Sequence, residues 1–65
     1  MNIKIRCVDN NNKYCFKSEF VTKGRVYSGV IDKEKNFAII GDDGYIIYDS
    51  MTDSCYAKWE LVNEE

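Results

Sequence analysis

The sequence contains no histidine and no proline, only one leucine and two alanines, and no long apolar run. Without histidine, Ser–His and Cys–His nucleophile pairs and histidine-ligated metal sites are excluded, so we expect a protein that is not an enzyme. No apolar segment approaches the about 20 residues that a membrane span needs. Because the first residues also lack the apolar segment of a signal peptide, we expect a cytoplasmic protein with no membrane partner.

The apolar residues that are present favour β-structure. Seven Ile, five Val and nine aromatic residues dominate the set, and these side chains suit a pleated, half-buried surface. Helix-favouring Leu and Ala are scarce. A chain of 65 residues has room for one small core. We therefore predict a single all-β domain over residues 1–62 and a frayed tail at 63–65.

Five short segments have the apolar pattern of strands, at about residues 3–8, 25–31, 37–40, 45–48 and 58–62. Gly29 inside the second segment predicts a bulge or a close approach of another backbone. The Asp43-Gly44 pair predicts a type I′ hairpin turn. The polar residues 49–54 predict a short helical turn before the last strand. Because closure of the sheet removes unpaired edges, we expect a small barrel.

The burial of individual side chains follows from this pattern. Val26, Ile39 and Ile47 are predicted to lie in the core. The surface aromatics are predicted to be Tyr27, Tyr48 and Tyr56. The opposite assignment, in which the aromatic rings fill a leucine-poor core, is equally compatible with the sequence.

Several pieces of the chain resemble a family of small SH3-like barrel proteins from low-GC Gram-positive bacteria, their prophages and their phages. These pieces are Ile3–Val8, Lys23–Tyr27 with the pattern K-G-x-V-Y, Asp42–Tyr45 and Trp59–Val62. The resemblance covers nearly the whole chain. It implies a five-stranded SH3-like barrel of phage or prophage origin, and it implies no catalytic residues.

The function that this resemblance implies is binding and inhibition of a bacterial host protein, and an anti-CRISPR protein acting on a defence nuclease is the leading concrete form. Four carboxylates within twelve positions suit a basic surface of such a partner, and two tyrosines suit interface anchors. The predicted partner-binding residues are Asp42, Asp43, Asp49, Asp53, Tyr48 and Tyr56. Alternatively, the four carboxylates belong only to a hairpin turn and a capped helical turn.

Two other functions are compatible with the sequence. A nucleic-acid-binding accessory protein would use the basic residues Lys4, Arg6, Lys13 and Arg25, although the net charge of −2 argues against it. A self-associating structural or ligand-sequestering protein would pair its exposed strands into a small homo-oligomer. Residues 1–35 carry eight basic and four acidic side chains, and residues 36–65 carry one basic and seven acidic. Folding can either separate these halves or interleave them.

The three cysteines, Cys7, Cys15 and Cys55, form no C-x₂-C pair. Zinc would need a carboxylate or water as its fourth ligand, so we expect no metal and no cofactor. An odd number of cysteines is not typical of a disulfide framework. We expect reduced thiols that serve as small buried apolar side chains.

Overall fold

Five β-strands form the framework of the computed structural model, which describes residues 1–64. They are β1 (Asn2–Asp9), β2 (Val26–Ile31), β3 (Asn36–Ile40), β4 (Ile46–Ser50) and β5 (Lys58–Glu64). The strands form one antiparallel sheet in the order β4-β3-β2-β1-β5. The predicted all-β, five-stranded fold class is therefore confirmed. The helical turn expected before β5 is replaced by a series of bends over residues 51–56.

In β1, β2, β3 and β4, every second residue is directed to the core, as the period of two requires. In β1, Ile3, Ile5 and Cys7 are at most 3% exposed, while the residues between them are exposed or half-buried. The predicted core positions Ile39 in β3 and Ile47 in β4 are also buried. The predicted burial of these residues is therefore confirmed, although only β1 shows a clear alternation of apolar and polar residues in its sequence.

The predicted assignment of buried and exposed residues in β2 is wrong. Val26 is 41% exposed, and Tyr27, expected at the surface, is 5% exposed. A buried tyrosine needs hydrogen-bond partners for its hydroxyl, and Tyr27 has two. Its Oη accepts a hydrogen bond from the Thr22 backbone N–H (2.7 Å) and donates one to Asp42 Oδ1 (2.8 Å). These contacts allow the larger side chain to fill the core.

The β3–β4 hairpin does not have the predicted type I′ turn. The Gly41 N–H donates to the Tyr45 carbonyl (2.9 Å), and the Gly44 N–H donates to the Gly41 carbonyl (3.0 Å). Gly44 has φ 85°, so the last turn residue takes the left-handed conformation, as in a three-residue hairpin with a bulge. The β2–β3 turn at 32–35 has the same geometry, with Lys35 at φ 69°.

The sheet is curled, and Trp59 of β5 reaches the residues of the central strands. Its ring meets Phe37 edge-on at a centroid distance of 5.4 Å and Tyr27 at 6.2 Å. Within residues 1–64, β4 and β5 lie at opposite edges of the sheet and are not hydrogen-bonded to each other as neighbouring strands. Closure into a complete barrel therefore stays a prediction.

The long β1–β2 loop, residues 10–25, bridges the start of β4 and the segment before β5. The Phe20 carbonyl accepts a hydrogen bond from the Asp42 N–H (2.8 Å), and Ser18 Oγ donates to the Tyr56 carbonyl (2.5 Å). The Phe20 ring also packs edge-on against Tyr56 at 5.4 Å. This loop thus covers the core where the two edge strands are not paired.

Folding brings the basic and acidic halves of the chain together. Arg6 pairs with Glu60 at 3.2 Å, and Arg25 pairs with Asp42 at 2.9 Å. In each pair the cation comes from the first half of the chain and the carboxylate from the second. The two halves are therefore interleaved in space at these contacts.

Candidate functional site

The carboxylate of Asp49, at the end of β4, organises the segment that leads to β5. Its Oδ1 accepts hydrogen bonds from the N–H groups of Ser50 and Cys55, both at 2.8 Å. Its Oδ2 accepts from the Tyr56 N–H (3.2 Å) and from Trp59 Nε1 (2.9 Å). A carboxylate offers about four lone-pair sites, and all four are used. Asp49 therefore fixes the position of Tyr56 and has no acceptor site left for a partner.

An open groove of about 890 Å³ lies beside this segment, at the end of the sheet where β2 and β4 finish. Its lining combines apolar and aromatic side chains with three carboxylates and contains no lysine or arginine. The lining residues are Met1, Val30, Ile31, Asp32, Asn36, Phe37, Ala38, Tyr48, Asp49, Ser50, Thr52, Asp53, Cys55 and Tyr56. We call this feature the β4-end groove.

Two tyrosines and two of the carboxylates in the β4-end groove are available to a partner. Tyr48 is 71% exposed and Tyr56 is 40% exposed, so the sequence-based placement of both at the surface is confirmed. The Asp53 carboxylate makes no hydrogen bond or ion pair within residues 1–64. Asp32 uses Oδ1 to cap its own turn and leaves Oδ2 free. The groove thus offers aromatic faces beside two carboxylates that form no ion pair within residues 1–64.

Asp42 lies at the opposite end of β4 and is tied into the fold. Its carboxylate accepts hydrogen bonds from Thr22 Oγ1 (2.7 Å) and Tyr27 Oη (2.8 Å) and pairs with Arg25 (2.9 Å). The hydrogen bond from Thr22, aided by Tyr27 and Arg25, holds the pKa of Asp42 below its ordinary value. Burial raises the pKa of Tyr27. Asp42 thus anchors the β1–β2 loop to the hairpin.

The structure divides the six predicted partner-binding residues into two groups. Asp43 is exposed in the 41–44 turn, where its Oδ1 accepts the Tyr45 N–H (3.1 Å). Asp42 and Asp43 lie about 17 Å from the other end of β4, given five residues of about 3.4 Å each. The remaining four residues line the β4-end groove, so the acidic residues do not form one continuous patch.

The charge network around Asp42 predicts a specific dependence of stability on pH. A carboxylate whose folded pKa is depressed stabilises the fold above its unfolded pKa and loses this contribution as the pH falls through the folded pKa. We expect the urea midpoint of the wild type to fall between pH 6 and pH 3, about the range in which carboxylates are protonated. In Asp42→Asn, the difference in urea midpoint between pH 6 and pH 3 should be smaller than in the wild type. Trp59 fluorescence measures these midpoints.

The control for this prediction is Asp43→Asn. Asp43 forms no hydrogen bond or ion pair with Arg25 or Tyr27 within residues 1–64, so this variant should keep the wild-type difference in urea midpoint between pH 6 and pH 3. An unchanged pH difference in Asp42→Asn would contradict the role assigned to the network.

The four predicted nucleic-acid-binding residues are dispersed and partly neutralised. Lys4 and Arg6 lie on the outer face of β1, and Arg6 is paired with Glu60. Lys13 lies in the β1–β2 loop, and Arg25 is the partner of Asp42. Two of the four cations are therefore engaged in ion pairs, and the set forms no single basic stripe.

The three cysteines are free and lie in different environments. Cys7 is buried in the core, where burial raises the pKa of its thiol. Cys15 is exposed, which overturns its assignment as a small buried side chain, and it has φ 67° in a turn. Cys55 is half-buried in the β4-end groove. Among residues 1–64, no cluster of three Cys, Asp or Glu side chains has the spacing of a metal site.

Sequence reasoning missed Asp32 as a groove residue, because the run from 32 to 36 reads as a solvated turn. Antiparallel pairing places this turn beside the end of β4: Asn36 pairs with Ser50, and the Met51 N–H donates to the Lys35 carbonyl (3.0 Å). Counting residues back from the 41–44 turn along both strands gives the same neighbours. The position of Asp32 beside the end of β4 was therefore predictable from the sequence once both turns were located.

Comparison with known proteins gives no assignment: no family model, curated protein or solved structure matches the chain. Within the described residues, no helix has the length and apolarity to span a membrane. The geometry of the site is therefore the basis for a functional proposal.

Proposed function

We propose that this chain is a non-enzymatic binding protein whose β4-end groove takes an extended, positively charged segment of another protein. Three carboxylates line the groove with no lysine or arginine among the lining side chains, and the one cation on a lining residue is the Met1 ammonium, which donates to the Ile31 carbonyl (3.4 Å). This excess of carboxylates is the observation that carries the proposal. Together with the family resemblance, it favours a bacterial host protein in the cytoplasm as the partner, and inhibition by occupancy of a basic surface as the mechanism.

The side chains of the groove are suited to an arginine or lysine of the partner. A cation over a tyrosine face gains about 0.5–2 kcal/mol, depending on desolvation, and Tyr48 and Tyr56 provide such faces. Asp53 and the free Oδ2 of Asp32 provide charge-assisted acceptors. Apolar contact with Val30 and Ala38 favours small apolar residues between the partner's cations.

An extended conformation of the partner segment follows from the position of the groove beside an edge strand. The backbone hydrogen bonds of β4 are directed to β3, and no backbone bond joins residues 46–50 to any segment outside the sheet within residues 1–64. An extended peptide can pair with such a free edge while its alternate side chains enter the neighbouring groove.

The experiment is quantitative capture from a lysate of a low-GC Gram-positive bacterium, with and without nuclease. We expect a stoichiometric protein that survives nuclease and is captured less as salt rises from about 0.05 M to about 0.5 M. Tyr48→Ala combined with Asp53→Lys should reduce its capture at least about tenfold, a loss of 1.4 kcal/mol or more.

The matched control is Tyr45→Ala combined with Asp43→Lys at the other end of β4. Tyr45 is 75% exposed, so the two double variants remove equally accessible tyrosines and reverse one charge each. The control should retain wild-type capture. Equal losses in both variants, or capture that disappears with nuclease, would contradict the proposed site and favour the nucleic-acid alternative.

A further inference from the structure

A second, smaller recess of about 200 Å³ lies on the outer face of the sheet, over the first residues of β1. Its lining residues are Asn2, Ile3, Lys4, Ser28, Gly29 and Asn63. The Ile3 side chain is directed to the core and Gly29 has none, so backbone forms the floor and four polar side chains form the walls. We call this feature the Lys4 recess, and it shares no lining residue with the β4-end groove.

Strand pairing places three of these polar side chains in one row. Lys4 pairs with Ser28 of β2 on one side and with Asn63 of β5 on the other. Neighbouring strands lie about 4.8 Å apart, so the row spans roughly 10 Å with the lysine at its centre. Asn2 precedes Lys4 by two residues and is directed to the same face, about 7 Å away along β1.

An extra residue in β5 brings Asn63 into this row. The register of β1 with β5 shifts at this point, because Ile5 pairs with Leu61. The residue before Ile5, Lys4, pairs with Asn63, two residues further along β5. In an unshifted ladder Asn63 would instead pair with Ile3, whose side chain lies in the core. A bulge of this kind interrupts the ladder and is frequent where a side chain is redirected toward a functional site.

Lys4 gives the recess a positive charge that the fold does not neutralise. Among the outward-directed residues of β1 to β4, only Lys4 and Arg6 are charged. Arg6 pairs with Glu60 at 3.2 Å, whereas Lys4 forms no ion pair within residues 1–63. No Asp or Glu of that range lines the recess. The recess is therefore suited to an anion.

The recess also holds hydrogen-bond donors that the described fold does not use. An ammonium offers three N–H donors, each Asn amide offers two, and a serine hydroxyl offers one. Within residues 1–63, none of the four polar side chains forms a hydrogen bond or ion pair with another residue. An anion can therefore accept from Lys4, Ser28 and both amides without breaking a side-chain contact within that range.

We propose that the Lys4 recess binds a single phosphate group, either as free phosphate or as the terminal group of a small phosphomonoester. This inference goes beyond the proposed function and uses a different surface. A terminal phosphate has three strong acceptor oxygens and carries close to two negative charges, so it can accept from donors on both sides of Lys4. A carboxylate has only two oxygens. A lysine ammonium is a common phosphate ligand, because it acts as a point charge.

The volume of the recess limits the ligand to a small group. About 200 Å³ is several times the roughly 30 Å³ share of one water molecule in the liquid. It is below the about 300–1,000 Å³ of sites that enclose drug-sized ligands. The phosphate group thus fits, while the rest of an ester lies in solvent. We expect a dissociation constant of the order of 1 mM, because water in an open site weakens the attraction between charges.

NMR titration of the isotopically labelled protein tests this proposal, at constant ionic strength and about pH 7.5, above the second phosphate pKa of about 6. The probes are inorganic phosphate, glycerol phosphate, acetate and a single-stranded oligodeoxynucleotide without a terminal phosphate. We expect saturable amide shifts at residues 2–4, 28–29 and 63 with the first two probes. The tighter of these two identifies the source of the phosphate group. Acetate and the oligonucleotide should bind at the recess at least about tenfold more weakly.

Three lysine variants complete the test. Lys4→Met should weaken phosphate binding at least about tenfold, and Lys4→Arg, which keeps the charge, should retain it. Lys33→Met is the matched control, because Lys33 is an exposed lysine in the β2–β3 turn, and it should bind phosphate as the wild type does. Partner capture should be unchanged in Lys4→Met, so failure of this proposal is distinguishable from failure of the proposed function.

Four results would overturn the proposal. They are the absence of saturable shifts with phosphate, equal binding of acetate, equal losses in Lys4→Met and Lys33→Met, and an oligonucleotide that binds at the recess more tightly than free phosphate. The last result would favour the nucleic-acid alternative.

Discussion

Replacement of Asp49 by alanine should lower the thermal unfolding midpoint by more than about 10 °C. In a domain of this size, such a shift corresponds to a loss of about 3 kcal/mol in the free energy of unfolding. Hydrogen bonds to a charged group contribute about 1.5–3 kcal/mol each and are not additive. Four donors lose their acceptor in this variant, including the indole N–H of Trp59. The total stability of so small a domain is of the order of 5 kcal/mol.

Circular dichroism and the fluorescence of Trp59, the single tryptophan, measure this effect. Asp49→Asn should also be destabilised, because an amide has one acceptor oxygen and turns a donor toward the remaining N–H groups. Asp53→Ala is the matched control in the same segment, since that carboxylate makes no hydrogen bond or ion pair within residues 1–64. Its free energy of unfolding should stay within about 0.5 kcal/mol of the wild-type value. Equal midpoints for Asp49→Ala and Asp53→Ala would contradict the organising role of Asp49.

Gly29→Ala is the second large expected effect, and we expect it to abolish cooperative folding or to cost more than about 3 kcal/mol. A Cβ at this position would overlap the carbonyl oxygen of Ala38 and lie 2.7 Å from Ile39 Cγ2. The main obstacle is backbone of the paired strand, which cannot rotate away as a side chain can. Relief would require displacement of β3 from β2 along their shared ladder.

Heteronuclear NMR spectra and urea unfolding of Gly29→Ala test this expectation. Ser28→Ala is the control, because Ser28 is the preceding residue of β2 and lies exposed on the outer face. It should give a wild-type spectrum and a midpoint near that of the wild type. A well-dispersed spectrum and an unchanged midpoint in Gly29→Ala would show that the strands do not approach as closely as the structure places them.

The strands whose residues alternate clearly were predictable from sequence. Ile3, Ile5 and Cys7 identify β1 and its buried face, since every second residue is apolar and the others are polar. Gly29 was also informative, because it predicted either a bulge or a close approach of another backbone. The register of β2 with β3 is unbroken, and the Ala38 carbonyl lies close to Gly29, so the close approach is confirmed.

The roles of the acidic residues were not predictable, because their partners are distant in sequence. Asp42 contacts Thr22, 20 residues away, and Asp49 contacts Trp59, 10 residues away. Proximity in sequence made the four carboxylates resemble one acidic cluster. β4 separates these carboxylates in space. Only the structure shows that Asp42 and Asp49 stabilise the fold and that Asp53 belongs to the β4-end groove.

The exposure of the outer side of β3 was not predictable for a different reason. Segments such as Phe37–Ile40 are almost continuously apolar, and a continuous apolar run is typical of a strand buried on both sides. The sheet buries only one side of these residues, so the other side is exposed. Sequence alone does not distinguish a strand that is buried on both sides from one whose second side the fold leaves exposed.

The central claim, that the β4-end groove takes a positively charged extended segment, is tested most directly by NMR titration of the isotopically labelled protein. The probe is an acetylated and amidated peptide of alternating arginine and valine, and the control peptide has glutamate in place of arginine. We predict saturable amide shifts at residues 30–32 and 48–56 with the arginine peptide, weakened by salt, and no shifts with the glutamate peptide. Shifts confined to the 41–44 turn, or equal shifts with both peptides, would contradict the account.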